Sequence, residues 1–381
     1  MSYPAAFFAL LFSSAALAAA VFPDLSDGSG ASARRLGLLK MRFEGLLREA
    51  RCPYGVVCVA QGGRVVMAEA VGIPGVENGA ELKRRAEGRA YPLGESSLAA
   101  VTFAAVKMSD AGKLDFKWTV SDRFSLFSPP KGAEKSASFE NMLCMRAGFN
   151  PSDAKLFPAS SEPRDLLEFS AQCFSDGAGE VGKYSPICAA AAGYALGYEN
   201  SKLQKNLKKS FAAFMKKYFF DPLGISEPKY RAFDSALFPA YAVALTPPEC
   251  AGWLAEETAA GADSPLARRR VSPPLSRLGM GWFDSSRGGL PAQVASSFFQ
   301  GCANEIAVFP SRRTAVAFFA AADSGRLAAA DAKTRAKYRS LASGACSKAA
   351  EFFGEMLADA ARPEKSEPLN ATVSPEKEDK K

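Results

Sequence analysis

The chain has 381 residues, of which 48% are hydrophobic and 23% are charged, with a formal net charge of +7. This length and apolar content exclude a disordered or fibrous protein and suit one large or two interleaved globular domains. There is no histidine, so any His-dependent mechanism is excluded, along with the commonest metal ligand.

The first 20 residues form an apolar run that ends in small residues, as in a secretory signal peptide. We therefore expect residues 1–20 to be a signal peptide and the protein to be exported, to the periplasm or outside the cell. The segment before the apolar run has no Lys or Arg, so an uncleaved membrane anchor is the alternative. Residues 21–33 are rich in Gly and Ser and read as a flexible leader.

A helix follows the leader, because Leu36, Leu39, Phe43 and Leu46 recur at helical spacing. Two β-branched runs then flank Gln61-Gly62-Gly63, which predicts a hairpin. A second pair of apolar runs flanks Pro310-Ser311-Arg312 near the other end of the chain. Sheet-forming segments thus stand at both ends of the chain.

This order predicts an α+β fold in which an antiparallel sheet is built from both termini, flanked by helices, and interrupted by a mostly helical insert. We assign the sheet part to 34–90 and 291–361 and the insert to 91–290, so that one domain covers 34–361. A helix is expected over roughly 327–357. Residues 362–381 are polar, charged and proline-containing, which predicts a disordered tail.

Eight cysteines, an even number in a chain expected to be exported, make some disulfides plausible. Their spacing matches no zinc or redox motif, so small buried hydrophobes in a reduced protein are the alternative. The basic residues are dispersed and lack an aromatic-interleaved groove, which argues against nucleic acid as a partner. No cofactor and no metal are predicted.

Several stretches, taken in order, resemble the serine β-lactamase and penicillin-binding protein superfamily, especially class C β-lactamases and related esterases. Residues 92–116, PLGESSLAAVTFAAVKMSDAGKLDF, resemble the nucleophile helix and the turn that ends it. MLCMRAGFN, GKYSPICAAAAGYALG, FMKKYFFDPLGIS, TPPECAGWLAEE and LGMGWF resemble later landmarks. The resemblance covers roughly 35–360 and implies the β-lactamase/transpeptidase-like fold.

The chemistry of that superfamily needs a serine at a helix N-terminus and a lysine one turn later, because positions i and i+3 share a helix face. Spacing from Gly112 puts Glu95 at the serine position and Leu98 at the lysine position. A shift of the alignment by one residue would bring Ser96 to the serine position, but Ala99 would then replace the lysine.

The second and third motifs are also incomplete by this resemblance. Tyr184 is present, but Pro186 stands where the superfamily has asparagine. The third motif falls on Ala295-Ser296-Ser297, where the superfamily has lysine or histidine, a variable residue and glycine. Both essential groups of the first motif and the cation of the third are therefore missing.

Two functions follow as hypotheses. The first is a protein that has lost serine-hydrolase catalysis and retains a cleft for a peptide, a cell-wall fragment or a protein partner. The second is a hydrolase of amide or ester bonds with a rewired nucleophile, for which Ser96, Ser97 and Lys183 are the candidates. Successive helical residues are rotated by roughly 100°, so at most one of the two serines can face the cleft. Glu305, in a predicted strand, is interpreted as a residue of a water-facing edge strand.

Overall fold

The computed structural model describes residues 25, 29–72, 79–129, 136–149, 162–170, 173, 183–203, 205–232, 234–261, 263–271, 278–322 and 324–359. The predicted signal peptide and the predicted disordered tail lie outside these residues. No helix in the described ranges is long and apolar enough to cross a bilayer.

A six-stranded antiparallel sheet forms the centre of the molecule, with the strand order β2-β1-β9-β8-β7-β6. The N-terminal strand β1 and the C-terminal strand β9 are neighbours, in register from Tyr54↔Ala321 to Gln61↔Thr314. The prediction of an antiparallel sheet built from both ends of the chain is therefore confirmed. Its strands are β1 (Tyr54–Gln61), β2 (Arg64–Gly72), β6 (Phe283–Arg287), β7 (Leu290–Phe299), β8 (Cys302–Phe309) and β9 (Thr314–Ala321).

The predicted hairpins are both present. Gln61 pairs with Arg64 across a turn in which Gly62 and Gly63 have φ of 57° and 86°, a conformation that favours glycine. A 3₁₀ turn, Pro310–Arg312, joins β8 to β9.

Helices cover both faces of the sheet, so every residue of β8 and β9 is buried. Side chains alternate between the faces along each strand. On β1, Val57 and Val59 pack with the N- and C-terminal helices, whereas Val56 and Cys58 pack with the helical insert. The helices are α1 (Gly30–Glu49), α2 (Gly79–Glu87), α3 (Ser97–Asp110), α4 (Val120–Arg123), α5 (Phe139–Leu143), α6 (Pro163–Ser170), α7 (Pro186–Ser201), α8 (Leu207–Met215), α9 (Phe238–Tyr241), α10 (Pro247–Ala259), α11 (Pro265–Arg268), α12 (Ser324–Ala329) and α13 (Ala332–Asp359).

The insert is mostly helical but also contains a small second sheet. Its short strands, in the order β3-β5-β4, are β3 (Tyr91–Pro92), β4 (Lys229–Tyr230) and β5 (Val243–Leu245). Leu93 extends this contact, because its N–H donates to the carbonyl of Val243. These strands are too short to show a period-2 pattern, and for that reason the sequence did not indicate them.

Several boundaries differ from the sequence-based expectations. Helix α1 begins at Gly30, inside the expected leader, because the Ser29 side chain caps it by accepting from the N–H of Ser32. Strand β6 belongs to the main sheet rather than to the insert, since it forms a hairpin with β7. The expected C-terminal helix is two helices, α12 and α13.

All eight cysteines are unbridged and buried. The thiols therefore act as small core side chains, and the disulfide alternative is not realised. The interpretation of Glu305 is wrong as well: β8 is an internal strand, and Glu305 is 4% exposed and pairs with Arg287 at 2.6 Å. The ion partner comes from β6, which the sequence analysis had placed outside the sheet.

Two glycines test the packing of α1 on β1. A Cβ on Gly55 would lie 2.6 Å from the carbonyl oxygen of Phe319 and 2.7 Å from the Phe43 ring, whereas a Cβ on Gly45 would meet nothing within 4 Å. We expect Gly55→Ala to lower the free energy of unfolding by about 1–3 kcal/mol. Gly45→Ala should raise it by about 0.5–1 kcal/mol, because alanine is the better helix former. Urea unfolding followed by circular dichroism measures both, and equal stability of the two variants would contradict this packing.

Candidate functional site

The segment that leads into α3 is pressed against β7. Gly94–Ser96 forms a 3₁₀ turn, and Gly94 has a φ of +56°. A Cβ on Gly94 would lie 2.3 Å from Ser297 Oγ and 2.6 Å from the Cβ of Phe299. Only glycine fits both this backbone conformation and this close approach. The turn thus holds the N-terminus of α3 directly beside the third motif.

The backbone N–H of Glu95 donates to Ser297 Oγ at 2.9 Å. Ser297 is 7% exposed and occupies the position at which the superfamily has glycine. A backbone N–H at such a helix start is the kind of donor that stabilises a developing oxyanion. Here the serine side chain occupies that donor, and a glycine would leave it free.

Ser96 and Ser97, the candidate nucleophiles, are both engaged in buried hydrogen bonds. Ser96 Oγ donates to Asn304 Oδ1 at 2.8 Å, and Ser97 Oγ accepts from the N–H of Val243 at 3.1 Å. They are 2% and 0% exposed. Asn304 in turn donates to the carbonyl of Leu93 at 3.1 Å. Both hydroxyls therefore fasten α3 to the neighbouring strands and are shielded from the cleft.

Leu98, at the lysine position, is 2% exposed and belongs to the main hydrophobic core. Ala99, the lysine position under the shifted alignment, is fully buried. Neither side chain can accept a proton, so no base occupies this turn of α3.

The second motif lies at the start of α7. Pro186 is the first residue of the helix, where its missing N–H costs nothing, and Ser185 caps the helix by accepting from the N–H of Cys188. Tyr184 is half-buried and its hydroxyl donates to the carbonyl of Ala240 at 3.0 Å. Lys183 is exposed. Pro186 therefore favours the start of α7, but it has no side-chain amide that could contact a ligand.

Burial raises the pKa of Tyr184 well above its usual range, and Tyr241 and Glu95 raise it further by their charge. The phenol is therefore protonated at neutral pH. The interaction with Glu95 also indicates that the first and second motifs face one another in the structure.

The third motif lies on β7, with Ala295 and Ser297 facing the insert and Ser296 facing the C-terminal helix side. Strand β6 pairs with β7 only between Leu290 and Val294. Beyond Val294, no strand in the described part of the chain pairs with this edge of β7. Residues 295–299 therefore present backbone groups along a sheet edge beside Glu95.

An aromatic pair closes the insert side of this edge. The rings of Tyr241 and Phe299 stack with centroids 4.8 Å apart and an interplanar angle of 4°. Tyr241 ends α9, immediately after the carbonyl that accepts from Tyr184. Tyr184 and Tyr241 therefore both contribute to the contact between the insert and the end of β7.

A cavity of about 340 Å³ lies around the edge, between the Glu95 turn and α13. Its lining includes Glu95 and Arg339, and among the described residues neither side chain takes part in an ion pair. The Arg339 guanidinium lies 5.9 Å from the centroid of the Phe298 ring. The other lining residues are Ser296, Ser297, Phe298, Asn304, Glu305, Ser343, Gly344 and Ser347.

Burial raises the pKa of Glu95, and the charge of Arg339 partly opposes this shift. The site therefore holds a carboxyl group and a guanidinium in one cavity, a pair suited to binding a polar ligand with charges of both signs. Arg339 and Tyr241 were not found from the sequence, because each lies far along the chain from the motifs and in no recognisable pattern. Asn304 was not singled out from the sequence either.

No protein-family model and no curated protein sequence matches the chain. Solved structures do resemble it. A penicillin-binding protein homologue from Pyrococcus abyssi aligns with a TM-score of 0.57 at 14% identity, covering 76% of this chain and 74% of its own. A class C β-lactamase from Rhodobacter sphaeroides aligns with a TM-score of 0.55 at 15% identity over 80% and 97% of the two chains. A β-lactamase/D-alanine carboxypeptidase from Yersinia pestis has a TM-score of 0.58 at 12% identity over 86% and 99%.

The chain has the serine β-lactamase/penicillin-binding protein fold. This confirms the fold that the ordered motifs predicted. On this fold, the N-terminus of α3, the start of α7 and the edge of β7 meet at one place. The structure brings Glu95, Tyr184 and Ser297 together there, whereas Leu98, Ser96 and Ser97 lie in the core and Lys183 lies at the surface.

The charge of Glu95 should lower stability at neutral pH. Because burial raises its pKa in the folded state, folding is favoured while the carboxyl is protonated, and this contribution is lost as the pH rises through the folded-state pKa. We expect Glu95→Gln to raise the free energy of unfolding at pH 7, with the gain shrinking as the pH falls toward about 4.

Glu81→Gln is the matched control. Hydrogen bonds from Arg85 and Arg84 lower the pKa of Glu81, so its charge favours folding at pH 7. This variant should shift stability in the opposite direction. Denaturant unfolding at both pH values measures the effect, and a pH-independent change in Glu95→Gln would contradict the assignment.

Proposed function

We propose that this protein is an exported, non-catalytic relative of the serine β-lactamases and penicillin-binding proteins that binds a ligand in the cleft beside β7. The main support is the hydrogen bond from the Glu95 N–H to Ser297 Oγ. It joins the residue at the serine position of the first motif to the residue at the glycine position of the third motif. The ligand classes that we propose are a peptide or a cell-wall fragment, or else a protein partner.

The loss of hydrolysis is supported by the residues at the serine and lysine positions of the first motif. Acyl transfer on this fold requires a serine and a basic partner within hydrogen-bond reach. A carboxyl group and a buried leucine stand in these places, at Glu95 and Leu98. A rewired hydrolase would have to release Ser96 from Asn304 or Ser97 from the β5 backbone before either could attack a substrate.

Binding is supported by the groups that remain along the edge. The backbone of residues 295–299 can pair with an extended peptide, which is a common mode of peptide recognition. Glu95 and Arg339 stand beside this edge in a cavity of about 340 Å³, at the lower end of the usual range for ligand sites. A peptide terminus, or a fragment with an amino and a carboxyl group, can satisfy both charges.

Relatives in structure favour the same ligand class. The Yersinia pestis protein is named as a β-lactamase/D-alanine carboxypeptidase, and a Burkholderia cenocepacia protein with a TM-score of 0.54 is named as a D-alanine carboxypeptidase. Stem peptides that end in D-alanine are therefore the first ligands to test. Export follows in this proposal from the apolar segment at 1–20.

Covalent labelling separates the two functions. We expect no adduct by intact-protein mass spectrometry after incubation of the folded protein with a fluorophosphonate or with a penicillin. An adduct on the native chain that disappears in Ser96→Ala or in Ser97→Ala would establish a rewired serine hydrolase and overturn the proposal.

Ligand binding has its own test, with a D-alanine-terminated stem peptide followed by calorimetry. Arg339→Gln should weaken binding about tenfold, because it removes the cavity's cation. Arg335→Gln, one turn earlier on α13 and also exposed, is the control and should leave affinity unchanged. Equal affinity of the two variants would exclude this cavity as the binding site.

A further inference from the structure

A second cavity, of about 400 Å³, lies at the other end of the main sheet and shares no lining residue with the first. It is enclosed by the end of α10, by α11 and by the β8–β9 turn. Its polar lining includes Glu257, Arg270, Gln293 and Arg313. Its apolar lining includes Ala260, Ala267, Val271, Val308 and Pro310.

A buried ion cluster stands behind this cavity. Arg269 and Arg270, 1% and 3% exposed at their side chains, share the single carboxylate of Glu257, which is fully buried. Burial alone would raise the pKa of Glu257, but the charges and hydrogen bonds of the two arginines outweigh it and hold the pKa below its usual range. Glu257 is therefore ionised, and the cluster keeps one uncompensated positive charge. Arg313, at the rim, adds a second.

The two arginines are satisfied to different extents. All three guanidinium nitrogens of Arg269 donate hydrogen bonds within the protein. Their acceptors include Glu257, Thr102 Oγ1 and the Leu266 carbonyl. Arg270 donates hydrogen bonds to the described residues only from Nη1, and the shortest of these is 2.6 Å, to Glu257 Oε2. Among the described residues, none accepts from its Nε or its Nη2, and Nε is buried without a partner. The side-chain carbonyl of Gln293, on β7, is also buried and has no hydrogen-bond partner within the described ranges.

Burying a cation whose hydrogen-bond donors are unpaired costs free energy unless an acceptor binds to those donors. Here the donors without acceptors belong to Arg270, which lines the cavity. Arg269, by contrast, has an acceptor for each of its guanidinium nitrogens. The apolar remainder of the lining can hold a hydrocarbon group, and the volume suits a small molecule.

We propose that this cavity is a binding site for a small organic anion, a carboxylate or phosphate on an apolar group, with the anion held by Arg270 and Arg313. The site goes beyond the function proposed above and does not depend on it, because the cleft beside β7 takes no part. Three cations, Arg269, Arg270 and Arg313, stand against the one carboxylate of Glu257, and this excess of positive charge favours an anion over a neutral or cationic ligand.

The test uses calorimetry of the full chain with four probes: inorganic phosphate, phenyl phosphate, benzoate and neutral benzyl alcohol. We expect phenyl phosphate or benzoate to bind, benzyl alcohol not to bind, and inorganic phosphate to bind more weakly than phenyl phosphate because it lacks the apolar part. Binding of benzyl alcohol as tight as that of the anions would overturn the proposal. The better of the two aromatic anions identifies the acid group.

Substitutions of single arginines test whether the anion binds in this cavity. Arg270→Gln should weaken binding of the aromatic anion about tenfold or more, and Arg313→Gln several-fold. Arg268→Gln removes the same charge from an exposed neighbouring position and should have no effect. If Arg270→Gln does not fold, Arg313→Gln, which is exposed, decides the question. Failure of every anion to bind, or binding that neither Arg270→Gln nor Arg313→Gln weakens, would show that the proposal is wrong.

Discussion

The pairing of β1 with β9 joins two segments that lie more than 250 residues apart in the chain, and the rest of the molecule is organised around it. The ladder runs over eight residue pairs without a bulge. Because side chains alternate along both strands, the same ladder creates two buried faces, one for α1 and α13 and one for the insert. Closing a loop of this length costs entropy, which is offset by burial of the strands on both faces.

The same sheet determines the geometry of the cleft. Strand β7 pairs with β8 from Gln293 to Phe299, but with β6 only from Leu290 to Val294. The uncovered half meets the N-terminus of α3 at the close approach of Gly94 to Ser297. Hydrogen bonds join the start of the helix to the sheet at this edge: Ser297 accepts from the N–H of Glu95, and Ser96 donates to Asn304. These contacts hold the N-terminus of α3 against β7 and β8.

Charge distribution separates the two cavities. In the first, one carboxyl and one guanidinium stand apart, and the pKa of the carboxyl is raised mainly by burial. In the second, two buried guanidiniums compete for one carboxylate whose pKa they lower. For this reason we propose a ligand with both charges for the first cavity and an anion for the second. The difference arises from the number of cations near each carboxylate rather than from the depth of burial.

The amino-acid sequence alone was sufficient for the main architecture, an antiparallel sheet built from both ends of the chain with a mostly helical insert. Hydrophobic periodicity located the terminal strands and helices, since local patterns report local structure, whereas the resemblance to the superfamily placed Glu95 and Leu98 at the serine and lysine positions. Tertiary structure alone decided which distant groups meet: Arg339 opposite Glu95, Asn304 beneath Ser96, Arg287 paired with Glu305, and Glu257 between two arginines. These contacts depend on strand order, register and helix packing, which bring together residues with no relation in the linear pattern. The state of the eight cysteines was also undecided until burial showed each thiol in the core.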